Sequence, residues 1–167
     1  MATYYADTAK DASPRSDTGT VTVPFQFNTG EIAFGANGNI FVLAKVPRFA
    51  TVTDLFVDLP ILDSANTGRM GLGTSANATL FVESINTGAA IRASSTDAAA
   101  TANTHIRIAT IPYRVLNTTA GGQTVDEDIR LTTSNALTTV IANAVVKGFV
   151  RYNCLEPEAS HETRPTS

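Results

Sequence analysis

The chain has 167 residues, which is long enough to form a single domain with a buried core. It contains one cysteine, so no disulfide can form within the chain. The net charge is −3 and the basic residues are scattered, so we expect no electrostatic binding of nucleic acid. No apolar run approaches the roughly 20 residues of a membrane-spanning helix, and the polar start MATYYADTAKDASPRS does not read as a secretory signal.

The surface of the folded chain must be unusually poor in charge. Charged residues make up 16% of the sequence, whereas about 25% is typical of globular domains. Thr, Ser, Asn, Ala and Gly must therefore cover the surface. Such a composition is typical either of a subunit that is crowded by neighbours or of a small polar β-domain.

The composition divides the chain into three parts. Residues 1–20 are rich in Thr, Asp and Ser, and we interpret them as an extended N-terminal arm that needs a partner surface, such as a neighbouring subunit, to become ordered. Residues 21–154 form a β-sandwich domain. Residues 155–167, with Pro157 and Pro165, form a C-terminal tail.

Short segments with alternating apolar residues, separated by Gly and Pro, indicate strands along the whole domain. The first lies at a sheet edge, because Pro24 lacks a ladder donor. Residues 113–116 either extend the strand at 105–111 or restart it, and residues 97–102 form a short helical turn within a long surface loop. The predicted strands are 21–27, 39–46, 51–59, 68–73, 78–85, 105–111, 128–133, 137–141 and 145–152.

The last two of these segments organise the fold. Residues 137–152, LTTVIANAVVKGFVRY, form a long run almost without charge. We interpret them as a closing hairpin of two strands joined by a tight turn or a bulge at Ala142, Asn143 and Ala144. The pattern favours an all-β, antiparallel β-sandwich that is jelly-roll-like, with about eight strands. The predicted core includes Val42, Val57, Leu80, Ile108, Ile129, Leu131, Val146 and Val150.

Alternation also assigns side chains to faces of individual strands. Ile40, Val42, Ala44 and Val46 are predicted to share one face of their strand. In the next strand, Leu55, Val57 and Leu59 are predicted to be buried, with Asp54 and Asp58 on the solvent face.

The chain contains no pattern typical of a catalytic, cofactor-binding or metal site, so we predict none of the three and no enzymatic activity. The cluster Asp126, Glu127 and Asp128 lacks the spacing of a calcium loop, and whether it binds a cation stays open. Asp54, Asp58 and Asp63 could converge, but a solvated face explains the first two. His105 has no metal-ligand partner at useful spacing, and Cys154 is predicted to be a small apolar residue at a strand end.

A glycine-rich segment, GRMGLG at 68–73, invites comparison with a nucleotide-binding loop. No amphipathic helix follows it to supply a positive N-terminus. We therefore interpret it as a strand of small residues.

Residues 40–152 contain an ordered series of short motifs. The series begins with V-P-x-x-A-x-V at Val46, Pro47, Ala50 and Val52 and continues through an acidic strand, a short L-G segment, a late D-x-D-I-x-L-T and a terminal strand ending in Tyr. The remaining positions are Asp54, Asp58, Leu72, Gly73, Asp126, Asp128, Ile129, Leu131, Thr132 and Tyr152. This pattern resembles that of small tailed-phage capsid decoration, or cement, proteins.

The resemblance implies a structural virion protein, made in the host cytoplasm, that binds the outer shell of a phage capsid as a homotrimer and clamps neighbouring copies of the major capsid protein. Its partners would be the major capsid protein and itself, without nucleic acid or membrane. One alternative is another virion part, such as a tail, head-completion or fibre subunit. Another is a carbohydrate-binding or hydrolytic β-sandwich, which the absence of tryptophan disfavours.

Overall fold

The computed structural model describes residues 1–10, 19–31, 35–87, 104–108, 113–115 and 125–154. Within these ranges the chain forms ten strands and one short helix. In chain order they are β1 (Thr3–Tyr5), α1 (Asp7–Lys10), β2 (Thr20–Asn28), β3 (Ile40–Val46), β4 (Thr51–Leu59), β5 (Arg69–Thr74), β6 (Val82–Asn86), β7 (Thr104–Ile108), β8 (Tyr113–Arg114), β9 (Glu127–Asn135) and β10 (Val145–Asn153).

The strands form two sheets. The first sheet has five strands in the order β1-β3-β9-β5-β6, and the second has the order β2-β10-β4-β7, with β8 also paired to β4. Every pairing is antiparallel except that of β1 with β3. The predicted all-β, antiparallel sandwich is confirmed, and β2, which carries Pro24, lies at a sheet edge as predicted.

The order of pairing is nested about the middle of the chain. Strand β2 pairs with β10, β3 with β9, β4 with β7 and β8, and β5 with β6. The chain from β2 to β10 therefore pairs like one long hairpin whose strands are divided between the two sheets of the sandwich.

Most of the predicted core is confirmed. Val42, Val57, Ile129, Leu131, Val146 and Val150 are all 1% exposed or less. Leu80 was wrongly assigned to the core and is 37% exposed. It precedes β6 in a turn in which its own N–H donates to the carbonyl of Asn77, so strand alternation does not apply to it. The side chain of Ile108 lies outside the described part of the chain.

The predicted closing hairpin is wrong. Strand β10 lies between β2 and β4 and pairs with β2 from Val145 to Asn153. Residues 137–141 instead bond to the loop after β4: the N–H of Ile141 donates to the carbonyl of Leu62, and Val140 forms a bridge with Asp63. Two full-length partners satisfy the backbone of β10 better than a short hairpin arm.

Strand β3 also departs from simple alternation. Its register with β9 shifts between Val42 and Ala44, which marks a β-bulge. Val42 lies opposite Arg130, whereas Ala44 lies opposite Ile129. The four residues therefore do not share one face of the first sheet, as predicted. Ala44 lies on the same face as Ile129, and Val42 lies on the opposite face, with Arg130. All four predicted residues are nevertheless buried.

The first ten residues pack on the sandwich of their own chain. Strand β1 lies parallel to β3, the N–H of Ile40 donates to the carbonyl of Ala2, and the N–H of Ala6 donates to the carbonyl of Val42. Ala6 and Ala9 belong to the core. Residues 1–10 of the predicted arm thus contact their own chain, and residues 11–18 lie outside the described residues. The helical turn at 97–102 and the tail at 155–167 lie outside the described residues.

Candidate functional site

The loop that joins β3 to β4 has an unusual backbone. The N–H of Ala50 donates to the carbonyl of Pro47 at 3.1 Å, which closes a β-turn over residues 47–50. Phe49, the third residue of this turn, has a φ of 67°. A type II turn requires a positive φ at this position and normally places Gly or Asn there. We call residues 47–50 the Phe49 turn.

Contacts from two distant segments hold the Phe49 turn. The N–H of Phe49 donates to the carbonyl of Val115 at 3.0 Å, and the N–H of Val115 donates to the carbonyl of Ala50 at 2.9 Å. On the other side, the N–H of Arg48 donates to Asp126 Oδ1 at 3.0 Å. The turn is therefore fixed by backbone hydrogen bonds and one carboxylate.

The residues of the turn differ in exposure. Pro47 and Ala50 are buried, Arg48 is exposed, and Phe49 is partly exposed. Among the described residues, Phe49 belongs neither to the buried core nor to the partly buried side chains that pack against it. Arg114, which pairs with Thr51 beside the turn, is also exposed. The turn thus contains a partly exposed aromatic residue and an exposed cation, and a second exposed cation lies on the strand paired with Thr51.

The predicted acidic cluster does not converge on one point. Asp126 faces the Phe49 turn, while Glu127 is fully buried and accepts hydrogen bonds from Tyr113 Oη at 2.7 Å and from the N–H of Ala76 at 3.3 Å. Burial raises the pKa of Asp128, against the lowering effect of the charges on Lys45 and Arg130. Burial, followed by the hydrogen bond and charge of Glu127, raises the pKa of Tyr113 to about 12.

The three remaining aspartates of the sequence prediction, Asp54, Asp58 and Asp63, each contact different groups. Asp54 lies 3.7 Å from Arg151 Nη1, and Asp58 lies 3.9 Å from Lys147 Nζ. Asp54 was predicted to face solvent, yet it is only 6% exposed; Arg151 lies opposite it on the adjacent strand β10. Asp63 is fully buried and accepts hydrogen bonds from backbone N–H groups.

The outer face of the second sheet carries an aromatic pair. Phe56 and Phe149 stack with ring centroids 5.6 Å apart and planes 17° from parallel. The Arg151 guanidinium lies 5.3 Å from the Phe149 centroid. Both rings are partly exposed, which provides a second surface with apolar area.

The remaining predicted positions fall on ordinary structural elements. The GRMGLG segment is mostly strand β5, Cys154 follows β10 and packs partly against the core, and His105 lies opposite Asp58 in the β4–β7 register. The His105 side chain is not among those described. In the described part of the chain, no three His, Cys, Asp or Glu residues are grouped as metal ligands, and no helix is long and apolar enough to cross a membrane.

Comparison with known proteins places this architecture among phage capsid chains. No protein-family model and no curated protein matches the sequence. A chain of the capsid of Ralstonia phage GP4 matches with a TM-score of 0.54 and 14% identity, over 93% of this chain and 99% of that chain. The two proteins share a fold over nearly their whole lengths.

Two further solved structures agree. A chain of the cyanophage Pam1 capsid asymmetric unit matches with a TM-score of 0.52 and 17% identity, over 88% of this chain and 94% of that one. A chain of the acidic stable capsid structure of Helicobacter pylori bacteriophage KHP30 matches with a TM-score of 0.50 and 15% identity, over 83% and 90%. The resemblance to phage capsid-related proteins is thus confirmed at the level of fold.

Sequence reasoning singled out the segment of the Phe49 turn only as part of the phage resemblance and missed the positive φ of Phe49. The V-P-x-x-A pattern at Val46, Pro47 and Ala50 identifies the segment as part of the phage resemblance. Neither Gly nor Asn stands at position 48 or 49, so the usual signal for a positive φ is absent.

Proposed function

We propose that this protein is a non-enzymatic structural component of a phage virion. Specifically, it acts as a capsid decoration, or cement, protein that binds the outer shell and stabilises it by clamping neighbouring capsid subunits. The observation that carries the proposal is the whole-chain match to a chain of the Ralstonia phage GP4 capsid, which covers 99% of that chain. A match of this extent concerns the complete domain rather than a shared substructure.

The physical features of the chain agree with a role in assembly. The low charged fraction, 16%, reduces repulsion between a subunit and its identical neighbours. The partly exposed rings of Phe49, Phe56 and Phe149 offer the aromatic side chains that are enriched at protein interfaces. Symmetry repeats each contact many times around a shell, so weak contacts add up to firm attachment.

The proposal includes an oligomeric state, a partner and a location. The protein is a homotrimer, its partner is the major capsid protein, and its place is the capsid surface after synthesis in the host cytoplasm. It binds neither nucleic acid nor membrane. The trimer comes from the resemblance to decoration proteins, and closure of a ring also protects sheet edges from open-ended pairing.

Electron cryomicroscopy of particles of the phage that encodes this chain tests the proposal. We expect density for the sandwich on the outside of the shell, in clusters of three, at a fixed ratio to the major capsid protein. Density at the tail, neck or fibres would instead support the alternative virion roles.

A reconstitution experiment tests the stabilising function. Particles assembled without the protein should rupture at a lower temperature than complete particles, and adding the purified protein should restore the difference. An unrelated β-sandwich protein of similar size serves as the control. Identical rupture temperatures with and without the protein would contradict the cement role.

A further inference from the structure

The conformation of Phe49 is costly for the isolated chain. Three non-glycine residues among those described have a positive φ: Phe49, Asn66 and Asn143. Asn tolerates the left-handed region because its short polar side chain bonds locally, whereas for a bulky residue this conformation is a genuine outlier. Such strain persists only where the surrounding structure enforces it, and it clusters at functional sites.

The hydrogen bonds described for the Phe49 turn do not involve the Phe49 side chain. They use backbone groups of residues 47–50, namely the N–H groups of Arg48, Phe49 and Ala50 and the carbonyls of Pro47 and Ala50. A glycine at position 49 would keep these hydrogen bonds and would adopt the same φ without steric cost. The Phe49 side chain is partly exposed, so part of the ring is available to a partner outside the chain.

The charges around the ring define the chemistry of a complementary surface. Arg48 within the turn and Arg114, which pairs with Thr51 directly after it, are both exposed, and Asp126 accepts a hydrogen bond from the N–H of Arg48. The chain as a whole is acidic, with a net charge of −3. Aromatic residues and arginine are enriched at the centres of protein interfaces.

We propose that the Phe49 turn is a docking element, with the Phe49 ring inserted into an apolar recess that is bordered by carboxylates on the outer face of a capsid subunit. This inference rests on the proposed function and adds to it the contact residues and the chemistry of the partner. Arg48 and Arg114 pair with the carboxylates at the edge of the recess. The backbone strain holds the ring in its binding pose before contact, which reduces the entropy lost on binding.

The decisive variant is Phe49→Gly. Relief of the strained φ stabilises the variant, whereas the greater freedom of glycine in the unfolded chain and the loss of the ring destabilise it, so the thermal midpoint of the free protein should change by less than about 4 °C. The affinity for particles assembled without the protein should fall about tenfold or more. A purely structural role for Phe49 would lower the midpoint by more than this, so a loss of affinity at nearly unchanged stability distinguishes docking from structural support.

Asn143→Gly is the control, because it places glycine at another exposed position with a positive φ. It should leave the affinity for particles unchanged. The double variant Arg48→Gln, Arg114→Gln tests the charges: it should weaken binding at low salt and flatten the decline of affinity with added salt.

The results of these binding and stability measurements separate the proposed function from the docking inference. If the wild-type protein does not bind particles, the proposed function fails and this inference fails with it. If the wild type binds and Phe49→Gly binds within twofold of it, or if Phe49→Gly lowers the thermal midpoint by more than about 4 °C, the docking inference fails while the proposed function survives. If Phe49→Gly changes only self-association in sedimentation, the ring contacts a second copy of the chain, and the capsid-subunit partner is wrong.

Discussion

The carboxylate of Asp63 accepts a hydrogen bond from the backbone N–H of Thr139 at 3.0 Å, although 76 residues separate them. The same carboxylate accepts from the N–H groups of Ala65, Thr67 and Gly68. One buried side chain thus closes the turn after β4 and attaches it to the segment that precedes β10.

Asp63→Asn should lower the free energy of unfolding at pH 7 by about 2–3 kcal/mol, because an amide offers one acceptor oxygen where the carboxylate offers two charged ones. Burial alone would raise the pKa of Asp63, but the hydrogen bonds from Gly68, Thr67 and Thr139 outweigh burial and hold the pKa well below its usual value. Urea unfolding of both proteins measures the difference.

The effect of Asp63→Asn should depend on pH in a defined direction. A carboxyl whose pKa is depressed in the folded state stabilises fully above its unfolded pKa, about 3.9, and loses this contribution as the pH falls further. The difference in the free energy of unfolding between wild type and Asp63→Asn should therefore become smaller below about pH 4. Glu31→Gln, at an exposed position, is the control, and a gap that is constant with pH would contradict the role of the Asp63 charge.

The core assignment is tested by the same substitution at two leucines. Leu131 is fully buried and Leu80 is 37% exposed. Leu131→Ala should cost about 2–5 kcal/mol because it leaves a cavity between the sheets, whereas Leu80→Ala should cost less than about 1 kcal/mol. Thermal or urea unfolding compares them directly, and equal costs would show that the burial difference is wrong.

Tyr113→Phe removes the hydroxyl that donates to the buried Glu127 carboxylate. The free energy of unfolding should fall by about 1–3 kcal/mol at pH 7, because the buried Glu127 carboxylate loses a hydrogen-bond donor. Because the folded state raises the pKa of Tyr113 to about 12, its contribution is complete below about pH 10. It is lost as the pH rises through the folded value.

The difference in the free energy of unfolding between wild type and Tyr113→Phe should therefore become smaller as the pH rises from about 10 to 12. Tyr5→Phe is the control, because the Tyr5 side chain is 41% exposed and should show little difference at any pH. A wild-type advantage that persists unchanged in strong alkali would argue against the hydrogen bond as its source.

Gly148 sits in the middle of β10, where a side chain has no room. A methyl group there would overlap the carbonyl oxygen of Phe56 and lie 2.7 Å from the Phe25 ring. Gly148→Ala should cost about 1–3 kcal/mol or more through overpacking. Gly30→Ala, where the methyl would meet the end of the Asn143 side chain, should cost less. Equal stability of Gly148→Ala and wild type would contradict the described packing of β10 against β4.

The sequence by itself determined the strand content and most of the buried faces. Alternation of apolar and polar residues is a local property, so it identified the segments that became β4, β9 and β10 and placed Val57, Leu131 and Val150 in the core. The resemblance carried by Val46, Pro47 and Ala50 likewise pointed to phage capsid chains, which the fold comparison supports.

Only the tertiary structure decided which strands are neighbours and where the backbone departs from regularity. Backbone ladders use the same N–H and C=O groups in every residue, so the sequence does not state that β10 lies between β2 and β4. The positive φ of Phe49 depends on acceptors supplied by Val115 and Asp126. Likewise, the N–H of Thr139 can donate to Asp63 only after the sheets have packed. All these contacts join segments that are far apart in the chain, so the local sequence does not predict them.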